Sequence, residues 1–334
     1  MKIWKHSHLD VIMLALSIAQ AVTTLLFAIA WNAVPAIVRT AGFVLLVGMT
    51  VYNIIVVSHL FTHAPWFRSP LLNRLVSMLN SINIGQSVQA YELMHVRNHH
   101  RYNNDQQQAD GKTQDLSSTY RDGIGGEHVS AFRYAFVGAI ETCLSIGRAL
   151  MSVTRFWRVG PRETELLPLF AKSATKRAWE LRQVQLDRLA HCLALCLFVT
   201  ISWQWVLLCY LPAIFLSLAV VNVQNYYEHY GAAPANRYAN SVSYYGLFYN
   251  LLTFNDGYHQ EHHLRPLAHW TQMPRVRREY RDKLERVERI ISPVPAILGA
   301  FHRNRELLHR SRPAIVPAVS QPTSNTLSNA AAGR

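Results

Sequence analysis

The chemistry-bearing residues of this chain are histidines, and they come in four short strings. SHLFTH carries His59 and His63, ELMHVRNHHRYNND carries His95, His99 and His100, NYYEHYG carries His229, and NDGYHQEHHLRP carries His259, His262 and His263. On an α-helix, residues three and four apart share a face. His59 with His63, His95 with His99, and His259 with His262 and His263 are therefore each expected to aim at one spot. Neutral imidazole is a good ligand for iron, copper, zinc or nickel. A single HxxxH pair is often only two surface histidines, but four boxes beside apolar segments point to a metal site. A structural zinc takes four ligands and a catalytic zinc three. Nine imidazoles exceed what one ion can hold and fit two ions with four or five each.

Soluble di-iron bundles use Glu and Glu-x-x-His ligands. That pattern is absent here, so the centre would be nearly all imidazole. Glu228, Asp256 and Glu261 then become candidates to accept imidazole N–H bonds and orient the rings. For Glu261 a solvated helix face is the favoured reading; for Asp256 and Glu228 the two readings stand level. His269, in RPLAHW, is close enough to the last box for a supporting role. His6, His8, His302 and His309 read as solvated, His191 as interfacial, and His128 has no partner spacing. Cys143, Cys192, Cys196 and Cys209 form no CxxC pair and read as small buried hydrophobes.

The boxes need a scaffold, and the scaffold is apolar. Residues 9–30 carry no charge after Asp10, 40–57 carry none, and 189–223 contain no Lys, Arg, Asp or Glu. At about 20 residues per span, these runs give four crossings in two hairpins, the second broken near Ser202–Trp205 or at Pro212. The expected fold is an all-α polytopic membrane bundle with interfacial helices and a cytosolic helical cap holding the metal site. Residues 70–94 read as an amphipathic helix, 101–130 as a polar loop, and 131–151 as an interfacial helix. Residues 242–254 are too short to span, 275–310 read as charged and helical, 1–310 as one domain, and 311–334 as a disordered tail. The first apolar run is longer than the usual signal-peptide core of about 7–15 residues.

The chain has 33 Lys and Arg against 20 Asp and Glu, a net charge of +13. With this topology only Arg39 lies away from the charged side, which places the termini and the boxes in the cytoplasm. The basic excess suits topology and anionic headgroups. No basic–aromatic nucleic-acid motif is present, so nucleic acid is not an expected partner.

At the boxes the chain resembles the membrane fatty acid desaturase and alkane hydroxylase superfamily. SHLFTH is similar to its HxxxH box, HVRNHH to its HxxxHH box and HQEHH to its HxxHH box. NYYEHYG looks closest to the extra box of membrane alkane monooxygenases. The resemblance covers roughly residues 10–285 and implies that His59, His63, His95, His99, His100, His229, His259, His262 and His263 hold two non-haem irons. It implies O2-dependent attack on unactivated C–H bonds of a fatty-acyl or alkyl chain, with the bilayer as the route for an oily substrate. The first box departs from the family pattern in having no acidic residue. HHRYNND and YHQEHHLRP look more like desaturases, while EHYG leans toward hydroxylases, so desaturation is the expected reaction and hydroxylation the alternative. A non-redox metal transporter is a remoter reading, because the spans lack the ionisable residues of an ion path. No HPGG-type haem motif, cysteine cluster or GxGxxG is present, so a separate ferredoxin, rubredoxin or cytochrome is the expected electron donor.

Overall fold

The computed structural model describes residues 3–154, 160–170, 173–302 and 309–310; the expected tail at 311–334 lies outside them. Helix α1 (Asp10–Ala30) runs antiparallel to α2 (Ala36–His63), and Pro35 stands immediately before α2. Their outward faces are apolar and exposed, with Val22, Leu26, Val44 and Leu45 among them, while Ser17, Gln20, Thr24 and Thr50 are buried. Apolar outside and polar inside is the reverse of a soluble bundle and the arrangement a lipid environment selects. The buried amides form a chain: Gln20 Nε2 donates to Asn83 O at 3.0 Å, and Asn53 Nδ2 donates to Gln20 Oε1 at 2.8 Å. Ser58 Oγ then donates to Asn53 Oδ1 at 2.6 Å, one residue before the first histidine box.

The expected amphipathic helix at 70–94 is two helices. Helix α3 (Pro70–Ile84) is capped by the Ser69 hydroxyl and stops at Gly85, whose φ of +71° is left-handed. Helix α4 (residues 88–102) restarts under the Ser87 cap, carries the second box and ends where Asn103 (φ 50°) and Asn104 (φ 61°) turn left-handed. Residues 103–130 form the expected loop.

Helix α5 (Ala131–Thr154), where an interfacial helix is expected, is one continuous helix that by length and composition alone is apolar enough to cross a membrane. Its Arg133, Glu141 and Arg148 suggested a shallow position, yet the run between them is apolar enough to meet the criterion. After α6 (Pro161–Phe170), the chain enters α7 (Ala174–Trp205) and α8 (Leu211–His229), joined by a π turn at Val206–Tyr210. A straight helix would set residues 191 and 210 about 28 Å apart. Instead His191 Nε2 lies 3.1 Å from the Tyr210 hydroxyl, and the Phe198 and Tyr210 rings touch. The chain therefore folds back at Ser202, whose backbone is extended (φ −158°, ψ 97°). This is the second hairpin, at the earlier of the two expected breaks.

The remaining chain crosses the end of the bundle. Helix α9 (Leu247–Leu252) exposes Leu247, Phe248 and Leu251, and Tyr52 of α2 donates to Leu252 O at 2.6 Å. Helix α10 (His259–Leu264) carries the last box. The long charged helix expected at 275–310 is absent among the described residues there. Short helices at Met273–Glu279 and Arg281–Glu285 are followed by a 3-10 turn at Ala296–Phe301, and Arg289–Ile290 pairs antiparallel with His309–Arg310. Pro293 and Pro295 in ISPVP prevent helix continuation there. Apart from that small pairing the described fold is all-helical.

Candidate metal centre

Each histidine box stands at the end of a helix, and all four ends meet in one buried layer. The nine rings divide into two groups. His59, His63, His95, His100 and His262 form one; His99, His229, His259 and His263 form the other. Within each group the candidate ligand nitrogens all lie within 4.8 Å of one another. Sequence spacing suggested that each box aims at one spot, and for two boxes the structure differs. His95 and His100 point to the first group while His99 points to the second. In α10, His262 joins the first group, and His259 and His263 join the second. Rings one, three or four residues apart on one short segment thus straddle two centres.

In α4 a π turn accompanies this division, whereas α10 divides its rings on a regular α-helix. Residues Leu93–His99 and Asn53–Ser58 are wound with wider turns than an α-helix. Such turns rotate the residues after them about the helix axis, and they recur at functional sites.

The donor set fits metal ions. His59 and His262 approach Nε2 to Nε2 at 3.1 Å, His95 and His100 at 3.2 Å, and His229 and His259 at 3.3 Å. Two nitrogens each about 2.1 Å from a shared ion, at angles between octahedral and tetrahedral, would stand about 3.0–3.4 Å apart. His63 Nε2, His99 Nε2 and His263 Nε2 are buried without a hydrogen-bond partner. Leaving such an atom bare costs about 1–3 kcal/mol, and coordination removes that cost. Burial first, and the mutual repulsion of neighbouring rings second, hold the His95, His100, His259, His262 and His263 imidazoles well below their usual pKa. They are therefore neutral, with a lone pair to offer.

The outer nitrogens share a common pattern. Nδ1 of His99 meets Asp115 Oδ2 at 2.7 Å, and Nδ1 of His263 meets Asn103 Oδ1 at 2.8 Å. Nδ1 of His229 meets Asn240 O at 3.2 Å, and Nδ1 of His59 meets Ile55 O at 3.0 Å. An acceptor on Nδ1 selects the tautomer that presents Nε2 to a metal. Burial alone would raise the Asp115 carboxyl, but the adjacent His99 ring and the Ser117 hydrogen bonds hold it well below the usual carboxylate range. It is an anion that accepts, as His99 requires. Sequence reading missed Asp115 and Asn103. The two left-handed asparagines ending α4 were the one local signal, since they turn the loop back over the box.

Of the carboxylates singled out in the sequence, Asp256 Oδ1 lies 3.5 Å from His59 Nδ1, and Glu228 Oε1 lies 3.7 Å from His259 Nδ1. Asp256 thus brings a carboxyl group from a distant loop beside the first box, which has no acid of its own. Glu261 corrects the solvated-face reading. It is fully buried and accepts from Ser243 Oγ at 3.0 Å and Tyr245 OH at 2.7 Å, rather than from an imidazole. A glutamate beside three histidines on a short helix looked surface-bound because its partners come from a segment with no helical spacing to it. His269 is likewise outside both groups: its Nε2 meets Asp10 Oδ1 at 3.0 Å and fastens the start of α1. His128 packs against Tyr120 and bonds Thr119 Oγ1 at 2.8 Å.

The non-histidine residues of the boxes hold the helices in place. Arg97 forks onto Glu180, Nη1 to Oε2 at 2.9 Å and Nη2 to Oε1 at 2.6 Å, and its Nε donates to Glu92 at 2.9 Å. Asn98 donates to Gln114 O and accepts from Leu116 N. Gln260 donates to Arg237 O and Asn240 Oδ1. Arginine, asparagine and glutamine thus moor the boxes to the surrounding chain and leave the imidazoles to the metal layer.

Fold and site together define a helical membrane protein with a buried all-imidazole layer suited to a pair of metal ions. The model of the family described as fatty acid desaturase matches residues 35–294, and the chain belongs to that family. Over 52 residues it is 48% identical to a sphingolipid delta(4)-desaturase of Candida albicans, a stretch covering 15% of this chain and 14% of that protein. No solved structure matches. The four apolar helices and the family make this an integral membrane protein.

Proposed function

We propose that this protein is a di-iron oxidoreductase that desaturates the acyl chain of a lipid. The observation that carries the reading is the division of nine imidazoles, seven buried and two half-buried, into a group of five and a group of four, at the ends of the apolar helices of a fatty acid desaturase family member. His59, His63, His95, His100 and His262 would hold one ion, and His99, His229, His259 and His263 the other. Metal and O2 supply the oxidant that no acid or base side chain can provide for an alkyl C–H bond. The overall change removes two hydrogens from adjacent carbons and reduces O2 to two waters, with two electrons and two protons from outside the lipid. Asp115, Asn103, Asn240 and Ile55 fix the ring tautomers, and the buried walls keep bulk water from the oxidant.

The chain carries no reductase motif, so the electrons come from a separate ferredoxin, rubredoxin or cytochrome. The basic excess suits an acidic carrier on the cytoplasmic side. Mass spectrometry of lipids from a host expressing the protein tests the reading. The expected product is lighter by two mass units and disappears with His262→Ala. A product heavier by sixteen would replace desaturation with hydroxylation. Metal analysis showing zinc, or fewer than about one iron per chain, would overturn the oxidative reading itself.

A further inference from the structure

Resting on that two-metal reading, one buried amide joins the two groups. Gln224, on α8 and 2% exposed, points its Nε2 between two acids. It donates to Glu228 Oε1 at 2.9 Å and to Asp256 Oδ2 at 3.1 Å. A primary amide has two N–H groups on one nitrogen, so it can serve two acceptors at once. Glu228 is one turn further along the same helix, whereas Asp256 arrives from the loop ahead of α10.

Each acid faces a different group. Asp256 Oδ1 is 3.5 Å from Nδ1 of His59 in the group of five. Glu228 Oε1 is 3.7 Å from Nδ1 of His259 in the group of four. His259 Nδ1 has no hydrogen-bond partner, so Glu228 is the acid placed to orient that ring. Tyr249 OH also donates to Asp256 Oδ2, at 3.0 Å, the same oxygen that accepts from Gln224. We propose that Gln224 is a positioning residue that ties the two metal sites together. Its amide bridges the two carboxyl groups and sets their reach toward His59 and His259. Losing it frees both acids together, so one substitution away from every imidazole should weaken both sites.

A second buried glutamine provides the contrast. Gln183 Nε2 donates to Asp187 Oδ1 at 2.7 Å, but Asp187 serves Ser77, Ser87 and the Gln89 N–H, none of them an imidazole. Gln183→Met should lower the unfolding midpoint and leave metal binding alone. The test is a Co²⁺ titration of metal-free full-length protein, monitored by absorbance, with His229→Ala and His262→Ala variants marking which signal belongs to which group. Gln224→Met is expected to weaken both sites about tenfold or more. Asp256→Asn should weaken mainly the group of five, and Glu228→Gln mainly the group of four. Should Gln224→Met not fold, Gln224→Asn, whose amide falls one methylene short, is expected to show the same paired weakening. Affinity kept within twofold at either group overturns the proposal. A wild-type chain that takes up fewer than two ions overturns both this proposal and the metal-centre reading beneath it.

Discussion

The two histidine groups lie side by side but are held in different ways. In the group of five, the rings brace one another. His63 meets His59, His95, His100 and His262 edge-on, with ring centroids 4.3–5.1 Å apart. In the group of four, three rings are braced by the rest of the chain, through Asp115, Asn103 and the Asn240 carbonyl. The first group depends on the register of helix ends, and the second on loops that reach over them. A mutation that loosens a loop should therefore separate the two sites, and one that removes a ring should not be compensated in either.

The largest effect sharpens the contrast from the helical side. His262→Ala removes a ring that His59, His63 and His100 all touch. Product should fall by more than about 100-fold, with metal content dropping toward one ion per chain. Retained product would break the ligand assignment. Next comes the loop side: Asp115→Asn removes the anion that His99 donates to. It should weaken the group of four about 10- to 100-fold and leave the group of five within twofold, as read by metal titration.

Asn103→Gly is milder and cleaner. Glycine accepts the left-handed backbone at φ 50° while removing the acceptor for His263, so a loss of about tenfold confined to the group of four is expected. Equal weakening of both groups by either loop variant would erase the distinction between them. The smallest metal effect belongs to Glu261→Gln. Its partners are Ser243 and Tyr245, so thermal unfolding should show a loss of about 1–3 kcal/mol with metal affinity nearly unchanged.

The same contrast explains what the sequence could reveal. Helix-borne ligands repeat at intervals of three and four, and their boxes adjoin apolar runs that a reader can count. Most of the nine histidines that gather here were legible for that reason, as were the hairpins; His229 stands alone in its box. Their partition was not, because α-helical spacing puts His95 and His99 on one face and the π winding at Leu93–His99 separates them. Asp115 lies 16 residues from His99 in a loop with no period, and Asn103 is 160 residues from His263. Nothing local ties either to its ring. Glu261 misled for the opposite reason: its neighbours suggested an exposed face, and the tyrosine and serine that bury it come from 243–245.

The π turns also bear on how such a site can change over generations. A π turn is an α-helix that has gained a residue, and each residue gained or lost rotates one side of the helix against the other by about 100°. Deleting one residue from Asn53–Ser58 would restore regular winding, and deleting a second would turn His59 and His63 by about 100° away from the other rings. Side chains along these turns can drift singly, but their length cannot. The ancestry of this centre should therefore be written in the spacing between the boxes and the helices that carry them, a record that survives when most of the residues in between have been replaced.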